Sequence, residues 1–199
     1  MTKRQLHNVQ PIKDSVILKQ VKDTLLDSFK AGRRNYTIFQ LGKATLLRAS
    51  DVLSLEYLDV FTEDGVLKKN AYIKDKKTGK PNNLYLNPAK EDLLVYQQWR
   101  QDNQIESKWL FPSSTSPDKH ITTKQYYKVM KQTGDLLSIN YLGTHTMRKT
   151  GAYLVYEQSG YNIGLVMKLL NHSDQNSTLK YLGLDEIDKE ERLDKINFG

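Results

Sequence analysis

Residues 70–87, NAYIKDKKTGKPNNLYLN, are where the chain changes its period. Two short β-prone runs flank a Lys-, Gly- and Pro-rich centre, which reads as an antiparallel hairpin. On either side the apolar residues recur at helical spacing. Upstream, residues 14–30 place Ile17, Val21, Leu25 and Phe29 on one face, with Asp14 or Ser15 as N-cap. A second helix is expected over 33–46 and a short one near 50–55. Downstream, helices are expected over 88–102, 122–136, 145–157 and 161–170, then near 177–182 and over 186–196. WLFPSS at 109–114 reads as a buried extended link. There are no repeats and no low-complexity linker. The expected fold class is mixed α/β, predominantly α-helical with a small antiparallel β-sheet, in a single domain over 1–199.

Composition bounds the function. The chain has 199 residues, 38% hydrophobic and 27% charged, enough for one good core in a soluble protein. No stretch approaches the apolar length of a membrane span, and no apolar signal region opens the chain. A cytoplasmic location is expected, nucleoid-associated if the source is prokaryotic. With no cysteine, disulfides, thiol nucleophiles and thiolate-held zinc are excluded. No acidic metal-ligand cluster is present, so neither a metal nor a cofactor is expected. The net charge of +7 invites a polyanionic partner. The charge is uneven: residues 1–40 carry eight Lys or Arg against three Asp, whereas residues 184–199 carry six Asp or Glu against three Lys or Arg. An acidic tail on a basic body can dock on that body or on a neighbour's.

Four stretches carry chemistry. In LLRASDVLSL (46–55), Arg48 sits among apolar residues, so its guanidinium must be paired or hold an anion, and Asp51 is placed to brace it. In KDKKTGKP, Lys76, Lys77 and Lys80 decorate the hairpin tip, where a cation can reach a ligand lying against the protein. In GTHTMRKTGAYLVYE, Thr144 is the expected N-cap, which puts His145 and Arg148 in the first helical turn at i, i+3, near N–H groups that favour an anion. In LLNHSDQNSTLKYLG, His172 ends an apolar helix and Tyr181 follows nine residues later on the next short one. Each stretch alone reads more readily as ordinary structure: an ion pair, a solvated turn, a satisfied histidine, a packed tyrosine. Together they supply what is needed to break a phosphodiester without a metal. Tyr181 serves as nucleophile, a general base takes its phenolic proton, a general acid serves the departing 5′ oxygen, and the arginines with His172 stabilise charge on the non-bridging oxygens.

The order and spacing of these boxes resemble the catalytic domain of the tyrosine recombinases, the phage integrases. LLRASDVLSL resembles the first-arginine box, with Arg48 and the acidic Asp51; KKTGK resembles the hairpin lysine motif; HTMR matches His-x-x-Arg; LLNHSDQNSTLKYLG resembles the closing box, with Asn171 where glycine is usual. The likeness runs from about residue 12 to 183. It implies the tyrosine recombinase catalytic-domain fold and a site made of Arg48, Lys77, His145, Arg148, His172 and Tyr181, supported by Asp51. Lys77 would be the acid, with Lys80 as the alternative, and His145 the proton acceptor. The implied reaction cuts one DNA strand, forms a 3′-phosphotyrosyl link, releases a 5′-hydroxyl and rejoins DNA without metal or ATP. The implied partners are double-stranded DNA, a homo-oligomer that is tetrameric on DNA, and an accessory DNA-bending protein. The catalytic pattern starts almost at Met1, so no N-terminal core-binding domain is expected: the chain either resembles the short, single-domain invertases of the family or is a fragment. The segment 185–197, with Ile187, Leu193 and Ile196 near one face, is expected to form a helix exchanged between protomers. Two rival functions share these residues: relaxation of DNA in the manner of a type IB topoisomerase, and a DNA-binding regulator without chemistry.

Overall fold

The computed structural model describes residues 9–184 together with 193, 194, 196 and 197. The expected tail helix over 186–196 falls, apart from those isolated positions, outside the described residues.

Local sequence explains where each helix begins and ends. Helix α1 spans Ser15–Asp27, and its N-cap is Asp14, whose carboxylate accepts from the backbone N–H of Val16 (2.7 Å) and Ile17 (2.9 Å). Val21 and Leu25 are fully buried. The helix stops at Asp27, short of the expected Lys30, and Phe29 packs against the core from the following turn. Helix α2 spans Gly32–Thr45 and ends on Leu46, which adopts a left-handed φ of 55°. That conformation is costly for leucine, and burial of its side chain among Ala152, Tyr156, Val166 and Leu170 holds it. Helix α3 spans Ala49–Leu53 and is followed by a second short helix, α4, Tyr57–Val60, which the sequence pattern did not disclose. Its start is made by a capping box in which the Glu56 N–H donates to the Asp59 carboxylate at 2.7 Å.

The hairpin forms as expected. Strand β1 (Asn70–Lys74) pairs antiparallel with β2 (Pro81–Tyr85), in a register that sets Ala71 opposite Leu84 and Lys74 opposite Pro81. Ala71 and Leu84 face the core, while Tyr72 and Tyr85 point to solvent. A 3₁₀ turn, Asn87–Ala89, leads into α5, Lys90–Asp102. The link after it is extended and is bridged at Glu56–Trp109 and Pro112–His120. Its burial covers 110–113; Ser114 is exposed. Helix α6 (Thr123–Leu136) opens on a Thr122–Gln125 capping box. Helices α7 (Thr146–Gln158), α8 (Ile163–Leu170) and α9 (Gln175–Tyr181) close the described chain.

Most buried side chains form one core centred on Ile38, Phe39, Leu53, Phe61, Tyr96, Phe111 and Tyr126. A smaller one joins α7, α8 and α9 through Ala152, Tyr156, Val166, Leu170 and Leu182. The two meet where α2 crosses α7, and that crossing is set by glycine. A Cβ on Gly151 would fall 2.0 Å from the Lys43 carbonyl oxygen, and one on Gly42 would fall 2.3 Å from Met147 Sδ. Close approach here fixes the first turn of α7 beside the chain leaving α2, three residues before Arg48. Gly151→Ala is therefore expected to destabilise the protein by about 1–3 kcal/mol, because backbone cannot yield as a flexible side chain can. A thermal melt checks this, and an unchanged midpoint would contradict it.

Candidate active site

Arg48 is the N-cap residue of α3, with an extended backbone (φ −66°, ψ 151°) that turns its side chain out of the helix. The side chain is 20% exposed. Its partner is not Asp51, as the three-residue spacing suggested, but Asp75 on the hairpin: Arg48 Nη1 donates to Asp75 Oδ2 at 3.1 Å. Asp51 faces the hairpin too. Its Oδ1 accepts from the Lys76 backbone N–H at 3.0 Å and from the Ser50 hydroxyl at 3.4 Å. Both carboxylates are buried, Asp51 at 3% and Asp75 at 5% exposure. Asp51 is engaged by the Lys76 N–H instead, and the hairpin brings Asp75 within bonding distance of Arg48.

At the start of α7 the N-cap is His145, not Thr144. The hydroxyl that closes this turn comes from Thr146, whose Oγ1 accepts from the Gly143 N–H at 2.9 Å. His145 keeps an exposed surface, while Arg148 in the first turn is buried to 5%. Arg148 Nη2 donates to the Leu170 carbonyl at 3.3 Å, its Nε has no hydrogen-bond partner, and its guanidinium stands 5.7 Å over the Tyr181 ring.

The end of α8 and the whole of α9 bring His172 and Tyr181 together. Asn171 takes a left-handed φ of 56° and reverses the chain. Asp174 then caps α9, accepting from the N–H groups of Asn176 (3.2 Å) and Ser177 (2.7 Å). His172 Nδ1 lies 3.1 Å from Thr178 Oγ1, whose own proton goes to the Asp174 carbonyl at 3.1 Å. This leaves the Nε2 edge for other partners. The rings of His172 and Tyr181 meet edge to face at 5.4 Å. Lys149 Nζ, bonded to the Val9 carbonyl at 2.7 Å, also lies 5.2 Å from the Tyr181 centroid. The Tyr181 hydroxyl is buried and has no hydrogen-bond partner. Buried polar atoms left unpaired are uncommon, and here two of them, Tyr181 Oη and Arg148 Nε, belong to the same cluster.

The electrostatics follow from this crowding of cations. Desolvation of its ring, despite the exposed surface the residue keeps, holds His145 below the usual histidine range, and Arg148, Lys149, Arg48 and Lys77 push it the same way. Burial also lowers His172, helped by Arg148 and Arg48 and opposed by Asp174. Burial pushes the Tyr181 phenol up, against a downward pull from Arg148 and then Arg48. Burial lowers Arg148 and Lys149 as well. A cavity of about 240 Å³ runs beside the cluster, lined by Arg48, Arg148, Asp51, Asp75, Asn82 and Asn171 among others. Such a site stabilises an anion, and it contains a hydroxyl whose proton must be taken before the oxygen can attack.

Arg48, His145, Arg148, His172 and Tyr181 thus gather in one place. Lys77 lies on the exposed hairpin turn and is among the cations acting on His145. Lys80 closes that turn through its backbone, its carbonyl accepting from the Asp75 N–H at 3.0 Å. Sequence reasoning missed three contributors. Asp75 and Thr178 lie inside the quoted motifs but gave no periodic or spacing signal; Lys149 follows Arg148 directly and reads as a solvated helix residue. Among the described residues, no group of three or more His, Asp or Glu side chains is gathered as for a metal ion, and no helix is long and apolar enough to cross a membrane.

The chain is similar to known proteins. The family described as the phage integrase family matches residues 15–186. The probable integrase/recombinase YoeC of Bacillus subtilis (strain 168) is 31% identical over 181 residues, covering 91% of this chain and 93% of that protein. Among solved structures, the XerH site-specific recombinase bound to difH substrate superposes with a TM-score of 0.63 at 19% identity, over 92% of this chain and 53% of that one. A lambda integrase tetramer bound to a Holliday junction gives 0.66 at 12% identity, over 87% of this chain and 48% of that one. At these identities the structural likeness is one of fold. The chain spans nearly all of the curated relative and about half of the two DNA-bound proteins.

Proposed function

This chain belongs to the phage integrase family, the tyrosine recombinases, and on that premise we propose that it is a site-specific DNA recombinase that cuts and rejoins DNA through a 3′-phosphotyrosyl intermediate. The observation that carries this reading is the Tyr181 hydroxyl: buried, without a hydrogen-bond partner, and within the field of Arg148 and Arg48. A core tyrosine would have its hydroxyl paired or wet.

The reaction runs as an in-line displacement. Tyr181 Oη attacks the phosphorus, and its proton passes to His145. The bond from phosphorus to the 5′ oxygen breaks, and Lys77 gives that oxygen a proton. Arg48 and Arg148 hold the two non-bridging oxygens, whose charge grows in the transition state, and the approach of that anion favours a protonated His172, whose Nε2–H joins them while Nδ1–H stays on Thr178. Rejoining is the reverse with another strand: its 5′-hydroxyl attacks the phosphotyrosine, and Tyr181 leaves with its proton restored. No step consumes ATP, because the phosphotyrosyl bond conserves the energy of the one broken. Double-stranded DNA is the partner, and by analogy with the lambda integrase assembly on a Holliday junction, four copies complete the exchange.

Mixing the protein with nicked duplexes drawn from the DNA flanking its own coding region tests this reading. A covalent protein–DNA adduct should survive a denaturing gel, with a free 5′-hydroxyl on the released strand. A DNA-binding regulator without chemistry would shift the duplex on a native gel and leave no adduct.

The depressed His145 gives a pH dependence. The acceptor must be neutral, and its folded pKa lies below the ordinary value of about 6.5. Activity is thus fully present above that value and is lost only as pH falls through the lower, folded pKa. Cleavage at limiting DNA, which reports the free protein, should stay level from about pH 8 down past 6.5 and decline below it. A decline centred above 6.5 would argue against His145 as the acceptor.

A further inference from the structure

Lys77 sits on a turn whose residues, Lys76 to Lys80, are all exposed. Gly79 at its tip has a φ of +67° and nothing within 4 Å of where a side chain would begin. A lysine on such a turn has wide freedom, yet a proton donor must sit within hydrogen-bond reach of one oxygen.

Asp75 joins this turn to Arg48. It lies just past the end of β1, two residues before Lys77, and both carboxylate oxygens are committed. Oδ2 accepts from Arg48 Nη1 at 3.1 Å and from the Thr78 hydroxyl at 3.4 Å. Oδ1 accepts from Asn82 Nδ2 on β2 at 3.0 Å. Its backbone closes the same turn: the N–H donates to the Lys80 carbonyl at 3.0 Å, and the carbonyl accepts from the Gly79 N–H at 2.7 Å. Asp51 adds a second tie from α3, through the Lys76 N–H. The segment that carries Lys77 is therefore bound at two points to the segment that carries Arg48, each through a buried carboxylate.

We propose that Asp75 is a positioning residue for the reaction, coupling the phosphate-gripping Arg48 to the hairpin so that Lys77 stands at the departing 5′ oxygen. This rests on the recombinase reading above. A carboxylate that only neutralised Arg48 could sit anywhere around it; this one belongs to the turn that bears the acid. It does not compete with the phosphate either, because it engages one nitrogen of a guanidinium with five N–H donors, and Arg48 keeps an exposed edge.

The test separates positioning of the acid from general support. Single-turnover cleavage by the full chain is measured on two nicked duplexes of the same flanking sequence, one ordinary, the other with sulfur in place of the departing 5′ oxygen. A thiol has a pKa of about 8.5, so a thiolate leaves without being protonated and the acid becomes dispensable. On ordinary DNA, Asp75→Ala should cleave about 10²-fold more slowly than wild type. On the sulfur substrate it should come within a few-fold of wild type, and Lys77→Ala should show the same rescue, while Arg48→Lys stays slow on both. Asp75→Asn, which keeps the shape and one acceptor oxygen, should show a smaller loss with the same rescue, and it serves where the alanine variant melts early. Equal deficits of Asp75→Ala and Asp75→Asn on both substrates would overturn the inference, as would faster cleavage of ordinary DNA or a Lys77→Ala variant that sulfur does not rescue. If wild type forms no adduct with either duplex, the recombinase reading itself fails.

Discussion

Tyr181→Phe is expected to form no covalent adduct with nicked DNA, while folding and DNA binding persist. The ring carries the packing: it stands edge to face with His172 at 5.4 Å and under the cations of Arg148 and Lys149 at 5.7 and 5.2 Å. All three contacts survive in phenylalanine. The lost hydroxyl is buried and unpaired, so its removal forfeits no hydrogen bond and relieves a desolvated polar group. Stability should hold to within about 1 kcal/mol or rise slightly. A thermal melt and a native gel shift establish the intact fold and binding, and the denaturing gel reads the chemistry. An adduct from the phenylalanine variant would remove Tyr181 from the role of nucleophile and pass it to another of the chain's tyrosines.

Replacing either arginine by lysine should slow cleavage on the order of 10²-fold or more, by analogy with loss of one oxyanion donor. A guanidinium grips two phosphate oxygens in its plane; an ammonium is a point charge with no fork. Arg148 has a further duty. It bonds the Leu170 carbonyl and stands over the Tyr181 ring, so it ties the end of α8 to the nucleophile. A lysine there loses the planar contact as well as the second donor. Arg48→Lys also weakens the bond to Asp75 and with it the hold on the hairpin. Because Arg148 is buried, a melt must accompany the rate. A variant that folds and cleaves at near-normal rate would show that the arginine does not grip the phosphate.

Much of the architecture was legible because it is local. Helical spacing of Val21 and Leu25, a β-prone pair of runs around Thr78-Gly79, and the cap at Asp14 are each decided within a few residues, and the mostly helical class with one small sheet follows from them. The misses are local conflicts settled from outside. The α1 stripe runs on to Phe29, yet the helix ends at Asp27, because the turn into α2 brings Gly32 against the Leu26 carbonyl. Helix α4 escaped notice because one turn is too short to show a period, and its capping box uses Glu56 and Asp59, which read as solvated charge.

The site divides along the same line. Sequence alone determined which residue types are present and in what order, and that Arg48, set among Leu46, Leu47, Val52 and Leu53, must find a buried partner. Those are consequences of composition and burial that hold whatever the chain does elsewhere. Which partner it finds was decided only by the tertiary structure: Asp75, 27 residues away, rather than Asp51, three away. The hairpin brings a distant carboxylate within bonding distance of Arg48, while the near one is engaged by the Lys76 N–H. The same is true of the cap at His145, set by the Thr146 hydroxyl, and of Lys149 and Arg148 over Tyr181, which meet because α8 packs on α7 and the reversal at Asn171 returns α9 to it. Contacts between elements depend on how closely two backbones approach, and no spacing along one strand of sequence records that distance.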